Sequence, residues 1–113
     1  MPEIEKVMIV EGKSDKLKVK RVIEEPVDII CTNGTISQIK LDEFAENLYD
    51  KDVYILVDAD ESGEKLRRKL KRELPEASHL YIDKAYKEVA SAPDHHVAEI
   101  IFRSNIRVHT KFL

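Results

Sequence analysis

The chain has 113 residues, 42% hydrophobic and 36% charged, which is material for one domain with one core and a densely charged surface. A net charge of −3 gives no bulk attraction to nucleic acid, and a single cysteine, Cys31, excludes an internal disulfide or a CxxC metal knuckle. No apolar run approaches the ~20 residues of a membrane span, and the acidic start Met1-Pro2-Glu3-Ile4-Glu5-Lys6 has no leader-like apolar stretch, so a cytoplasmic protein is expected.

In chain order, Val7-Met8-Ile9-Val10 is a continuous apolar run and predicts a short strand buried on both faces. It stops at Glu11-Gly12. A helix is predicted over 14–24, with Ser14 or Asp15 as N-cap and Leu17, Val19, Val22 and Ile23 as its apolar positions, and Pro26 forbids continuation. Residues 27–31 predict a second strand, closed by the turn Thr32-Asn33-Gly34-Thr35. A helix over 41–49 and a strand over 53–57 follow. Then come Asp58-Ala59-Asp60-Glu61-Ser62-Gly63 and a helix reaching Leu74, where Pro75 ends it. Residues 79–82 predict a fourth strand, and after a loop through Pro93 a helix is expected over 94–103.

Strands alternating with helices imply a parallel sheet covered on both faces, with ligands at the carboxyl ends of its strands. Glu11 follows the first strand and Asp58 the third. If those strands are neighbours, their carboxylates meet at one crevice.

Neither acidic loop fits a common nucleotide or calcium motif. The residues Gly12-Lys13-Ser14 match the end of a phosphate loop, but that pattern needs a glycine five positions earlier, where Val7 stands. Asp58 to Gly63 has the acids and glycine of a calcium loop's first half, but Lys69 occupies the place of its essential glutamate. What remains is a glutamate and an Asp-x-Asp, all hard oxygen donors. Brought together they would raise one another's pKa, and a divalent cation such as Mg2+ or Mn2+ relieves that cost. The plainer alternative makes Asp60 or Ser62 a helix cap and Glu11 a surface turn residue.

The sequences Val10-Glu11-Gly12-Lys13-Ser14-Asp15 and Asp58-Ala59-Asp60 with Gly63 resemble the Toprim domain of topoisomerases, primases and related nucleases. Residues 58–65, the opening stretch 11–23 and the turn at Gly34 are similar to the Toprim half of the ribonucleases that mature 5S ribosomal RNA. The resemblance implies a Rossmann-like α/β fold with a four-stranded parallel sheet and helices on both faces. It implies one Toprim domain over 1–113, with its core over about 5–83 and a C-terminal helical extension over about 84–113. It also implies Mg2+ (or Mn2+) held by Asp58 and Asp60 with help from Glu11, and Glu11 as the proton-handling residue. Gly12, Asp15, Gly34 and Gly63 would support the site. Ser62 stands where some members carry a third acid, and Asp15 would assist the acids or orient Lys13.

As a stand-alone small Toprim protein the chain is expected to lack a topoisomerase's tyrosine domain and the maturase's second domain. The leading expectation is Mg2+-dependent cleavage or transfer of phosphodiester bonds in RNA or DNA, with Lys13, Lys16, Lys65 and Arg68 contacting phosphates. The alternative is a catalytically weak or inactive metal-dependent module binding nucleic acid or a protein, with a protein partner supplying substrate capture. A phosphoacceptor receiver is disfavoured because its acid pair is replaced by Glu11-Gly12. The basic residues group as Lys13, Lys16, Lys18, Lys20 and Arg21, and again as Lys65, Arg67, Arg68, Lys69, Lys71 and Arg72. Asp83, Lys84 and Glu88 follow the last strand and could join the site. The four histidines show no ligand spacing.

Overall fold

Val7, Met8, Ile9 and Val10 form an unbroken apolar run because the strand they build is covered on both sides. In the computed structural model, which describes residues 5–113, this strand is β1 (Lys6–Val10), and those four residues are at most 2% exposed. The reading of residues 1–4 lies outside the described residues. Met8 and Val10 face one core, Val7 and Ile9 the other, as the two-residue period of a strand requires. Each such burial contributes roughly 1.5–3 kcal/mol.

Among the described residues the elements run β1, α1 (Lys13–Val22), β2 (Asp28–Cys31), α2 (Gln38–Asn47), β3 (Asp52–Leu56), α3 (Glu61–Glu73), β4 (Ser78–Leu80) and α4 (Asp94–Arg103), then a short 3-10 helix at Thr110–Phe112. The four strands are parallel in the order β2-β1-β3-β4, with Val10 opposite Cys31 and Ile9 opposite Ile55. The fold expected from the sequence is therefore present.

α1 and α4 pack on one face, where Val19, Val22, Val97 and Ile101 join Met8, Val10 and Leu56. α2 and α3 cover the other, where Leu41, Phe44, Leu66 and Leu70 meet Ile9 and Ile55. Strand order reverses between β1 and β3, so their carboxyl ends open a crevice at that point.

Several element ends differ from expectation. α1 starts at Lys13 behind Gly12 as N-cap, so neither Ser14 nor Asp15 caps it. Instead Asp15, in the first turn, accepts a hydrogen bond from the Gly12 N–H at 3.0 Å. α2 begins three residues before the predicted Leu41, because the Ser37 hydroxyl accepts from the Lys40 N–H. β4 ends at Leu80 rather than Ile82.

Two cations of the basic runs turn inward. The Lys18 ammonium donates to the Ala92 carbonyl at 2.7 Å and pairs with Asp94 at 3.0 Å, tying the segment after β4 to α1. Lys18 therefore leaves the solvent-facing set, and Arg21 also reaches Asp94.

Arg67, 3% exposed, extends from α3 to the end of β4. It donates to the Leu80 carbonyl and hydrogen-bonds His79 Nδ1, both at 3.0 Å, while its guanidinium lies 4.0 Å from the Tyr81 ring centre. Burial, then the adjacent Arg67 charge, lowers the His79 pKa from 6.5 to about 4. The unfolded chain thus binds a proton that the native state refuses between about pH 6.5 and 4, so native stability drops as pH falls through that window. His79→Gln keeps a polar group but loses this titration. Urea midpoints between pH 7 and 5 are expected to fall more for the native sequence than for the variant; equal falls would contradict the Arg67–His79 contact.

Candidate active site

The crevice is built from the loops that leave β1 and β3. Glu11 reaches across to β3, where its Oε1 accepts the Asp58 N–H at 2.8 Å, so the two acidic loops are joined directly. Asp60 is the N-cap of α3, its Oδ1 accepting from the Gly63 N–H at 2.7 Å. The capping role and the clustering of acids are therefore both present in one residue.

Gly63 is required here by space, because a Cβ would lie 2.1 Å from the Asp58 carbonyl oxygen. The first turn of α3 is pressed against the Asp58 backbone. Gly34 is required by conformation instead, with φ of +98°, and follows Asn33 at φ 57°. That turn is fastened to β1 by Thr32 N–H to the Val10 carbonyl (3.0 Å) and Asn33 N–H to the Glu11 carbonyl (2.7 Å). Gly12 carries neither constraint, since its backbone is extended and a Cβ would meet only Asp15 Oδ2 at 3.8 Å.

The segment after β4 belongs to the same crevice. The Val89 N–H donates to Asp58 Oδ1 at 2.8 Å, and the Ala59 N–H donates to the Lys87 carbonyl at 2.7 Å. Lys87 adopts a left-handed conformation (φ 66°) to make this return. It brings the exposed Glu88 close enough to raise the pKa of Asp15 and Asp58. Of the three residues following the last strand, Glu88 is the one placed among the acids. Asp83 is engaged elsewhere, its N–H donating to His96 Nε2.

Glu11, Asp15 and Asp58 all have pKa values raised above the ordinary carboxylate range. Desolvation is the largest cause in each case, and neighbouring carboxylates add to it; hydrogen bonds from backbone N–H groups offset part of the rise. Among the described residues no lysine, arginine or histidine pairs with Glu11, Asp15, Asp58 or Asp60. The expected orientation of Lys13 by Asp15 is thus absent, since Asp15 holds the Gly12 N–H instead.

The remaining expected phosphate contacts divide between the two sheet faces. Lys65 and Arg68, from α3, line a groove of about 540 Å3 together with Glu11, Gly34 and Ser62. Lys13 and Lys16 lie in the first turn of α1 and take no part in that groove.

An acid whose native pKa is raised binds its proton more tightly when folded, so stability falls as pH rises through the window between the unfolded and native values. At neutral pH the ionised cluster therefore works against folding. Asp58→Asn retains an oxygen for the Val89 N–H and removes one charge. It is expected to raise the melting temperature in buffer without added metal. A lower melting temperature would contradict the electrostatic reading.

The fold and these residues define a class: a parallel α/β domain with clustered carboxylates at its topological switch point. The Toprim domain family model matches residues 6–91, from β1 through the segment that returns to Asp58. The chain belongs to the Toprim family. It is 69% identical over 113 residues to protein YusF of Bacillus subtilis (strain 168), covering all of this chain and 77% of that protein. The solved structure of a small TOPRIM domain protein from Bacillus stearothermophilus matches with a TM-score of 0.95 and 56% identity, over 98% of this chain and 94% of that one. Ribonuclease M5 of Mycoplasma genitalium is 32% identical over 82 residues, or 72% of this chain; the chain spans only 45% of that ribonuclease.

Proposed function

We propose that this protein is a nuclease-like enzyme of nucleic-acid processing that cleaves or transfers phosphodiester bonds in RNA or DNA with Mg2+ (or Mn2+) as cofactor. The observation that carries the reading is the meeting of Glu11, Asp58 and Asp60 at the switch point, where no lysine, arginine or histidine among the described residues forms an ion pair with them. Similarity to ribonuclease M5 supports the substrate class.

The donor set suits a hard divalent ion. It consists of carboxylate oxygens, and the hydrogen bonds from Asp58, Val89 and Gly63 N–H groups occupy one oxygen each of Glu11, Asp58 and Asp60. Among the described residues no three His, Cys, Asp or Glu side chains form a ready-made cage. Mg2+ does not require one, since it typically keeps several waters and takes one or two carboxylates plus substrate phosphate. Asp58 and Asp60 would hold the ion, with Glu11 beside them. When bound, it would neutralise charge on the phosphoryl oxygens.

The protein's own residues account for the rest of the reaction. Burial and the neighbouring acids favour the protonated form of Glu11, which suits it to exchange a proton with the attacking or leaving oxygen. The Asp58 N–H holds its carboxylate in place for that exchange. Lys65 and Arg68 on one side, and Lys13 and Lys16 on the α1 side, neutralise the polynucleotide backbone. The chain is read as one domain over 1–113 acting in the cytoplasm; among the described residues no helix is long and apolar enough to cross a membrane.

The test is incubation of 5′-labelled structured RNA and single-stranded DNA with and without Mg2+. Ion-dependent cutting that EDTA stops is the expected result. A second reading is favoured by the net charge of −3: a module that binds metal and nucleic acid while a protein partner supplies substrate capture. Binding without cutting by the isolated chain, and cutting once a partner is added, would select it.

A further inference from the structure

α3 is unusual in how its charges are sorted. Its sheet-facing side carries Gly63, Leu66, Arg67 and Leu70, all buried. Lys65, Arg68, Lys69 and Arg72 recur at i, i+3, i+4 and i+7, the spacing of a single helical flank. That flank lines the 540 Å3 groove together with Gly34, Thr35, Ile36 and Leu66.

Competing partners for these cations are weak. Lys65 approaches Glu61 at 4.0 Å and Arg72 approaches Glu73 at 3.6 Å, with both cation side chains about two-thirds exposed; such pairs contribute little. Glu73 also accepts from Gln38 Nε2. Arg68 and Lys69 have no acidic partner among the described residues. Glu11 lies in the same groove, so the cations lead to the candidate catalytic acid.

We infer that this groove is the track of a single-stranded polynucleotide, whose phosphates step along Lys65, Arg68, Lys69 and Arg72 and deliver one phosphodiester to Glu11. The inference rests on the proposed nuclease reading and deepens it by assigning the form of the substrate and its path. Lys69 and Arg72 thereby join Lys65 and Arg68 in the interface. The four cations advance by about one helical turn, 5.4 Å, from Lys65 to the Arg68–Lys69 pair and again to Arg72, giving successive phosphates successive partners. All four cations lie on one helical flank, so they offer charge to one backbone strand. Among the described residues no aromatic side chain lines the groove, so bases have no stacking platform, and recognition runs through the backbone with little sequence preference.

The experiment is fluorescence anisotropy with labelled oligo(U), oligo(dT) and a mixed-sequence duplex, in EDTA to keep the probes intact, over a series of KCl concentrations. Four single-strand phosphate contacts predict a log K against log[salt] slope of about −2.8. Both single-stranded probes should bind to within a few-fold of each other and more tightly than the duplex. The double variant Lys69→Ala/Arg72→Ala should weaken binding and flatten the slope by about 1.4 units. Lys111→Ala, at the far C-terminal helix, should leave both unchanged. Alanine favours helix, and unchanged far-ultraviolet circular dichroism melts would confirm that the double variant is folded.

A slope untouched by the double variant, a preference for duplex, or strong selection among bases would overturn the inference while leaving the nuclease reading intact. Absence of binding by any probe, alongside measured Mg2+-dependent cutting, would also overturn only the groove. Absence of both binding and cutting would overturn the two together.

Discussion

Glu11→Gln is expected to lower the proposed Mg2+-dependent phosphodiester cleavage by about 10²–10⁴-fold, the usual contribution of a positioned proton-transfer group. The substitution is conservative in structure. Gln retains an oxygen that accepts the Asp58 N–H, so the link between the β1 and β3 loops survives. It removes only the ionisable proton, and with it one negative charge from a cluster in which Asp58, Asp60 and Asp15 all press on Glu11. The variant should therefore fold as well as the native chain and still respond to Mg2+ in thermal melts through Asp58 and Asp60. Single-turnover cleavage of a labelled RNA at saturating enzyme separates the chemical step from binding. Retention of the native rate would remove Glu11 from the chemistry and leave it as the clasp between two loops.

Gly63→Ala is expected to produce the largest loss of stability among conservative changes at the site. In an ordinary helix this replacement gains about 1 kcal/mol from propensity. Here the new methyl would sit 2.1 Å from the Asp58 carbonyl oxygen and 2.9 Å from its carbon, both backbone atoms that cannot rotate away. α3 must back off from β3, which loosens the Asp60 cap and strains the packing of Leu66 and Leu70 against Ile55. Overpacking of this kind typically costs 1–3 kcal/mol, and a backbone collision lies at the upper end or beyond. Urea unfolding should show a net loss of about 2 kcal/mol or more, with impaired response to Mg2+. Gly12→Ala is the control: its Cβ finds only a contact of ordinary length, and stability should change little. Equal stability of Gly63→Ala and the native chain would mean that α3 does not approach Asp58 so closely.

These expectations trace back unequally to the sequence. The acids were legible because the chemistry is local: Glu11 and Asp58 each end a continuous apolar run, and such runs mark strands buried on both faces. Parallel pairing then brings the two residues together once β1 and β3 are neighbours. The glycines were also legible, but for different reasons that sequence does not distinguish. Gly34 answers to a positive φ and Gly63 to a close approach, whereas Gly12 answers to neither in the fold itself.

What sequence could not give depends on distant contacts. Lys18 reads as one of a solvated basic run, yet its ammonium is fixed by Ala92 and Asp94, more than seventy positions away. Arg67 reads as part of another such run, although its place between Leu66 and Leu70 on the apolar side of α3 was a usable signal of burial. Its partners, His79 and Leu80, come from the strand beyond the turn. The return of residues 87–89 onto Asp58 and Ala59 has no periodicity and depends on a left-handed lysine, a conformation that residue type does not advertise. For the same reason the four proposed phosphate contacts could be named together from composition but not assigned to sides. The crossovers place Lys65 and Arg68 with Glu11 in one groove, and Lys13 and Lys16 on the helix covering the opposite face.

The central claim is that the acids at the β1–β3 switch point hold a divalent metal. Crystals of the whole chain soaked in Mn2+, with anomalous differences collected at the manganese edge, test it most directly. The account predicts a peak within about 2.1 Å of carboxylate oxygens of Asp58 and Asp60, close to Glu11, with waters completing the octahedron. A manganese peak at a site that ignores both aspartates, under conditions that support cleavage, would contradict it.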